Sequence, residues 1–243
     1  MTSNIKKSID KLAERADMIM ASPATIEKLR RQGLPMQTIP APTLEQWFEG
    51  RKANAKEVVK YLPEPPPIEL VSYAIKSLYE EILHCILCGL NGAAITLSGN
   101  LIEFTLKHAA FVREAGGYQN YDPEKWDEFE QIDFAHAISR AKRAGLISSK
   151  MGKRLHAFRE DIRNPYSHYN IRKITREVVA GHVKVLNLET REYEEKDIPA
   201  KQDPNIQALA KPIIDKRMVL NVFLFADEVV KYVLKRLGES VKA

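Results

Sequence analysis

Apolar residues recur at helical spacing along most of the chain, broken by proline-rich joints and by one alternating stretch. From Ser3 to Met20 the apolar positions Ile5, Ile9, Leu12, Ala16 and Ile19 fall on one face, predicting a helix. Ser22-Pro23 opens a second, short helix that ends at Gly33, with serine as cap and proline in the first turn. Leu34 to Thr43 carries three prolines and reads as a linker. Thr43 caps a third helix running to Leu62, with Glu45 in its acid-favouring first turn. Pro63-Glu64-Pro65-Pro66-Pro67 stops any helix and forms a stiff spacer. The main boundary is expected there: residues 1–62 as an N-terminal helical extension, 63–67 as the spacer, and 68–243 as the principal domain.

Beyond the spacer, Ile68–Leu90 and Asn91–Glu114 form two long helical patterns. They are joined at Asn91-Gly92, which implies an antiparallel helical hairpin. Gly116-Gly117 ends the second helix. A loop follows with a short helix after Asp122-Pro123, then a helix over Phe134–Ala144 closed by Gly145. Ser148 or Ser149 caps the next, which runs to about Arg163. The period then changes. Gly181–Leu188 and Tyr193–Ile198 read as strands turned at residues 189–192, a hairpin insertion at about 178–199. Ile206–Leu237 is a final long helix, with Pro212 as a kink or as the true start. The predicted fold is mainly α: a four-helix up-down bundle with an N-terminal helical extension and a small β-hairpin insertion.

Composition adds little except through the placement of charge. With 44% apolar content the chain can bury a core. Two cysteines, Cys85 and Cys88, make no disulfide framework. Neither a signal-peptide core nor a membrane-length apolar run is evident, so a cytoplasmic protein with no membrane association is expected. The net charge is only +5, but Ala141–Arg176 holds ten Lys/Arg against Glu160 and Asp161 alone, a local +8. Such a field favours a polyanion such as a nucleic acid; the alternative is a solvated helical face.

At the centre of this basic segment lies Arg163-Asn164-Pro165-Tyr166-Ser167-His168. On one unbroken helix, five residues would leave Arg163 and His168 about 140° apart around the axis. Pro165 is therefore expected to break the helix, with Asn164 capping a new one. His168 would then sit in the first turn, beside free N–H groups suited to phosphate. Arginine binds phosphate oxygens and histidine moves protons near neutral pH, so the pair can cut RNA without a metal.

Arg-Asn followed by three residues and His resembles the R-x4–6-H signature of the HEPN superfamily. The segment Leu90–Phe104, with its small residues and embedded Glu103, is similar to that family's early helix. The resemblance covers about Ile68 to Leu237. It implies a four-helix bundle that often dimerises, and, in catalytic members, a metal-independent endoribonuclease with no cofactor. Arg163 and His168 would be the catalytic pair, with Asn164 helping to position them. Many such enzymes act as toxins or in antiviral defence, so an antitoxin or defence partner is implied. One toxin subset carries a modified tyrosine two positions after the histidine; here that position is Asn170 and the tyrosine is Tyr169.

Around the pair, Lys150, Lys153, Arg154, Arg172 and Lys173 are candidate phosphate contacts. Tyr166 and Tyr169 are candidates for base stacking, with packing against the bundle as the competing role. Glu103 either orients Arg163 or belongs to a solvated stripe with Asn100 and Lys107. His84, Cys85 and Cys88 suggest metal ligands only superficially, since they lie in an apolar helix and read as core. The expected partners are RNA and a second copy of the chain, whose histidine would complete an acid–base pair. The alternative is a non-catalytic bundle that binds protein, nucleotide or RNA.

Overall fold

The computed structural model describes residues 27, 28, 31, 42–67, 72–186 and 192–241. The expected helix at 3–20, the linker up to residue 41 and residues 187–191, which hold most of the expected turn at 189–192, lie outside them. Within the expected 22–33 helix, residues 27, 28 and 31 are helical, and Arg31 Nε donates to Glu27 Oε1 at 3.2 Å.

The protein is mainly helical with one small antiparallel sheet. Helix α1 spans Leu44–Val58 and runs into a 3-10 turn at Val59–Tyr61. Its start is a reciprocal cap: Gln46 N–H donates to Thr43 Oγ1 at 3.2 Å, and Thr43 N–H to Gln46 Oε1 at 3.0 Å. Helices α2 (Tyr73–Leu87) and α3 (Asn91–Ala115) follow. Their joint lies at Cys88–Leu90, not at Asn91-Gly92: Gly89 takes the left-handed φ of +67° that the turn requires, while Asn91-Gly92 opens α3. Side chains of α1 finish this joint, Asn54 Nδ2 donating to the carbonyls of Ile86 (2.9 Å) and Leu87 (3.0 Å) and Arg51 to that of Cys88.

Gly116, at φ +77°, closes α3. Asp122 caps α4 (Pro123–Gln131), Asp133 caps α5 (Phe134–Arg143) and Ser148 caps α6 (Ser149–Phe158). A widened π-turn, Arg159–Arg163, leads into α7 (Asn164–Ser167), and α8 is Ile171–Ile174. Strands β1 (Val179–Leu186) and β2 (Tyr193–Pro199) pair from Val179↔Pro199 to Leu186↔Tyr193, irregular between Ala180 and Val183. Helix α9 runs from Pro204 to Val241. Its start is earlier than expected because Asp203 Oδ1 takes the N–H groups of Asn205 (2.7 Å) and Ile206 (3.2 Å), and Pro212 lies inside it.

The chain divides into two compact units, residues 1–49 with 171–213, and 50–170 with 214–243. In the first, α8 packs on the 3-10 turn Ala200–Gln202, and Ala200 N–H donates to the Val178 carbonyl. The second holds the larger core and the motif. There α2 buries Ile75, Tyr79, Ile82 and Ile86, a helical stripe that packs on α3. Helix α3 is buried over most of its girth and also packs on α5, which packs on α6. Phe223, Ala226, Val229, Val230 and Val233 of α9 are fully buried, and the Phe223 ring lies edge-on to Tyr79 at 5.1 Å. Cys85 is half-buried and Cys88 exposed, so the expected core pair of cysteines is not formed. Among the described residues no helix is long and apolar enough to cross a membrane.

Two buried phenols share one design. Tyr79 donates to Asp227 Oδ1 at 2.7 Å, and Tyr166 to Asp215 Oδ1 at 2.6 Å. Burial first, and the adjacent carboxylate second, push both phenols above the ordinary tyrosine value near 10. A raised folded-state value means that this contribution is whole below about pH 10 and is lost as pH rises further. Thermal melts from about pH 8 to 11.5 should therefore show stability falling on the alkaline side. The fall should be shallower in Tyr79→Phe and Tyr166→Phe.

Candidate active site

The backbone through the motif does not break. Asn164 has φ −64° and ψ −45°, and Arg163 before it is equally helical. The expectation of an Asn164 cap and a new helix at Pro165 is therefore corrected, and the cause is the π-turn. In a regular α-helix the Pro165 ring would strike the carbonyl four residues back. Here Asn164 N–H reaches five residues back to the Arg159 carbonyl, and the wider turn makes room for the ring.

His168 is accordingly at the end of α7 rather than in a first turn. Its N–H donates to the Asn164 carbonyl at 3.1 Å. Asn170 N–H then closes on the Pro165 carbonyl at 2.7 Å and Tyr169 N–H on Tyr166 at 3.2 Å, a Schellman close with Tyr169 in the left-handed region at φ +47°. The His168 ring is exposed. Tyr169 is also exposed, at 67%.

Arg163 is held from two sides. One terminal nitrogen donates to Glu103 Oε2 at 2.7 Å and the other to Asn164 Oδ1 at 3.2 Å. Glu103 Oε1 pairs with Lys107 Nζ at 3.0 Å, and Lys107 also donates to the Glu130 carbonyl at 3.1 Å. Glu103 and Lys107 are each 12% exposed and Arg163 is 23% exposed, so solvent screens this trio less than it would surface ions. Two cations share one carboxylate, which leaves a local charge of +1. Each terminal nitrogen of Arg163 keeps one N–H without a protein partner among the described residues, since only two of its five donors are used there and Nε is buried. Such a group can take phosphate oxygens without giving up the contacts that hold it.

Gly99 makes the approach possible. A Cβ at this position would sit 3.0 Å from Arg163 Cγ. Gly99, Glu103 and Lys107 recur every four residues, so one face of α3 carries the whole support. Gly99→Ala should raise intrinsic helix stability by about 1 kcal/mol while displacing the arginine stem. The expected outcome is an unchanged or higher Tm with a displaced Arg163 side chain, read by thermal melts beside the NMR shift of the Arg163 guanidinium.

The other candidates divide. Lys150 and Lys153 are exposed on α6, three residues apart on one face. Arg154 is engaged at the surface: it forms a two-point pair with Glu228, at 2.5 and 2.8 Å, and covers the Phe225 ring at 4.9 Å. That hydrogen-bonded pair raises the guanidinium's value and lowers Glu228's. Tyr166 is not a stacking platform; it is 6% exposed, with its hydroxyl on Asp215. Arg172 and Lys173 lie on α8, in the first unit. The structure thus brings together Arg163, Asn164, Glu103, Lys107 and Gly99. No hydrogen bond joins His168 to Arg163 among the described residues. No three His, Cys, Asp or Glu side chains converge as a metal-binding group among the described residues. No protein-family model, curated protein or solved structure matches the chain.

Proposed function

We propose that the chain is a metal-independent endoribonuclease of HEPN type, with α2, α3, the continuous α6–α7 segment and α9 as the members of a four-helix bundle. The observation that carries the reading is Arg163. It is fixed by Glu103 and Asn164 with donors to spare, five residues before the open imidazole of His168 and inside the +8 segment. RNA supplies its own nucleophile, the 2′-hydroxyl. His168 exchanges protons with that hydroxyl or with the departing 5′-oxygen, and Arg163 stabilises charge on the phosphate oxygens. The products are a 2′,3′-cyclic phosphate and a 5′-hydroxyl. One histidine serves one proton transfer, so a homodimer with a composite site supplies the second. A toxin or defence role, under a protein partner's control, fits this activity.

A non-catalytic binding module is the second reading, favoured by the share of the guanidinium that Glu103 already takes. End-labelled RNA incubated with the purified protein and excess chelator separates the two. Cleavage to cyclic-phosphate ends supports the enzyme, and retention of intact RNA or of no RNA supports the module.

A further inference from the structure

Both cysteines of the chain sit at the C-terminal end of α2, Cys85 in its last turn and Cys88 as its cap. Cys88 is exposed and Cys85 half-buried. The same turn holds α1. Asn54 Nδ2 donates to the carbonyls of Ile86 (2.9 Å) and Leu87 (3.0 Å), and Arg51 to that of Cys88. The Cys85 carbonyl takes the Leu90 N–H at 2.7 Å, just before α3 begins. Residues three apart on a helix share a face. Their Cα atoms lie about 5 Å apart, within the roughly 4.4–6.8 Å that a disulfide spans. Their Cβ atoms, about 5–6 Å apart, would have to close to about 3.5–4.5 Å. The turn can yield there, because Cys88 already has ψ −1° and Gly89 takes the left-handed φ of +67°.

We propose that Cys85 and Cys88 form a reversible redox pair, closed by a small-molecule disulfide of the glutathione type, and that closure loosens α1 from the α2–α3 joint. The exposed Cys88 reacts first. Its thiolate sulfur bonds to one sulfur of the oxidant, the oxidant's S–S bond breaks, and the other half leaves as a thiolate that takes up a proton. Cys85 then gives up its proton, its sulfur bonds to that of Cys88, and the second small thiol departs. Two electrons and two protons pass from the pair to the oxidant, which ends as two thiols. Burial first, then the neighbouring Cys88 and Glu81, push the Cys85 thiol up, so it suits the second step, where its target is already tethered beside it. Drawing the two Cβ atoms together moves the peptide groups between them, which carry the carbonyls that Asn54 and Arg51 hold. The pair makes no use of Arg163 or His168 and survives failure of the ribonuclease reading.

Full-length protein equilibrated across ratios of reduced to oxidised glutathione, then acid-quenched and weighed intact, tests the bridge. The chain has two cysteines, so closure should remove both thiols together and lower the mass by about 2 Da. Cys85→Ser should instead stop at a glutathione adduct on Cys88. Hydrogen exchange tests the consequence. Amides of residues 51–58 should exchange about tenfold faster in the bridged protein and recover on addition of dithiothreitol, while those of residues 223–233 stay protected. Arg51→Ala with both thiols reduced should reproduce part of that acceleration. A stable glutathione adduct on the parent, a dimer linked through Cys88, thiols that stay reduced at every ratio, or a bridge that leaves exchange at residues 51–58 unchanged would each overturn the proposal.

Discussion

Replacing His168 with alanine is expected, on the ribonuclease proposal, to abolish detectable RNA cleavage by lowering kcat about 10²–10⁴-fold, while the unfolding free energy stays within about 0.5 kcal/mol of the parent's. The two halves follow from different facts. The imidazole is the group assigned to proton transfer, whereas the ring is exposed and makes no side-chain bond among the described residues that folding would miss. Arg163→Ala cannot be read so simply, because it also strands Glu103, which is 12% exposed and would keep only Lys107. Arg163→Lys is the better companion. It keeps the charge and loses the two-sided grip on Glu103 and Asn164, so a large fall in kcat with little change in RNA affinity is expected. Single-turnover cleavage beside a binding isotherm measures both. Undiminished cleavage by the His168→Ala protein would remove the catalytic assignment.

Phe223→Ala should produce the largest loss of stability, about 3–5 kcal/mol. Its ring is fully buried and lies edge-on to Tyr79, so truncation opens a cavity where α2 and α9 meet. It also loosens the buried Tyr79–Asp227 hydrogen bond one turn away. For a chain of this length the corresponding fall in Tm is roughly 6–20 °C. Leu224→Ala, next in sequence but 41% exposed, is the internal control and should cost far less. Calorimetry on the pair checks the contrast. Similar losses in both would mean that the α2–α9 contact contributes little.

Local chemistry made much of the fold readable. Thr43, Asp122 and Ser148 announce helix starts because each cap is settled within three residues, and Gly116 announces an end for the same reason. What failed depends on distant partners or on hydrogen-bond phase. Asn91-Gly92 reads as the α2–α3 joint, but the turn falls at Gly89, where Arg51 and Asn54 donate to the last carbonyls of α2 and its cap. Pro165 reads as a breaker in any local scheme, since tolerance comes from a bond five residues back. The partners of Arg154 and Tyr166, Glu228 and Asp215, lie 74 and 49 residues away, beyond the reach of any local reading. The Arg163–Glu103 pair spans 60 residues, yet α3 hinted at it through Gly99, Glu103 and Lys107 on one face. Tyr169 carried no signal at all, because a left-handed tyrosine follows from how α7 closes.

The π-turn carries one residue more than an α-helix of equal length would hold. Deleting any single position in Arg159–Arg163 would let the helix return to its ordinary pitch. The wide turn absorbs the extra residue, so the phase of the helix downstream would be roughly kept. What would be lost is the room for Pro165, whose ring would meet a carbonyl again. The segment therefore tolerates substitution far better than shortening, and its length is as much a part of the site as its side chains.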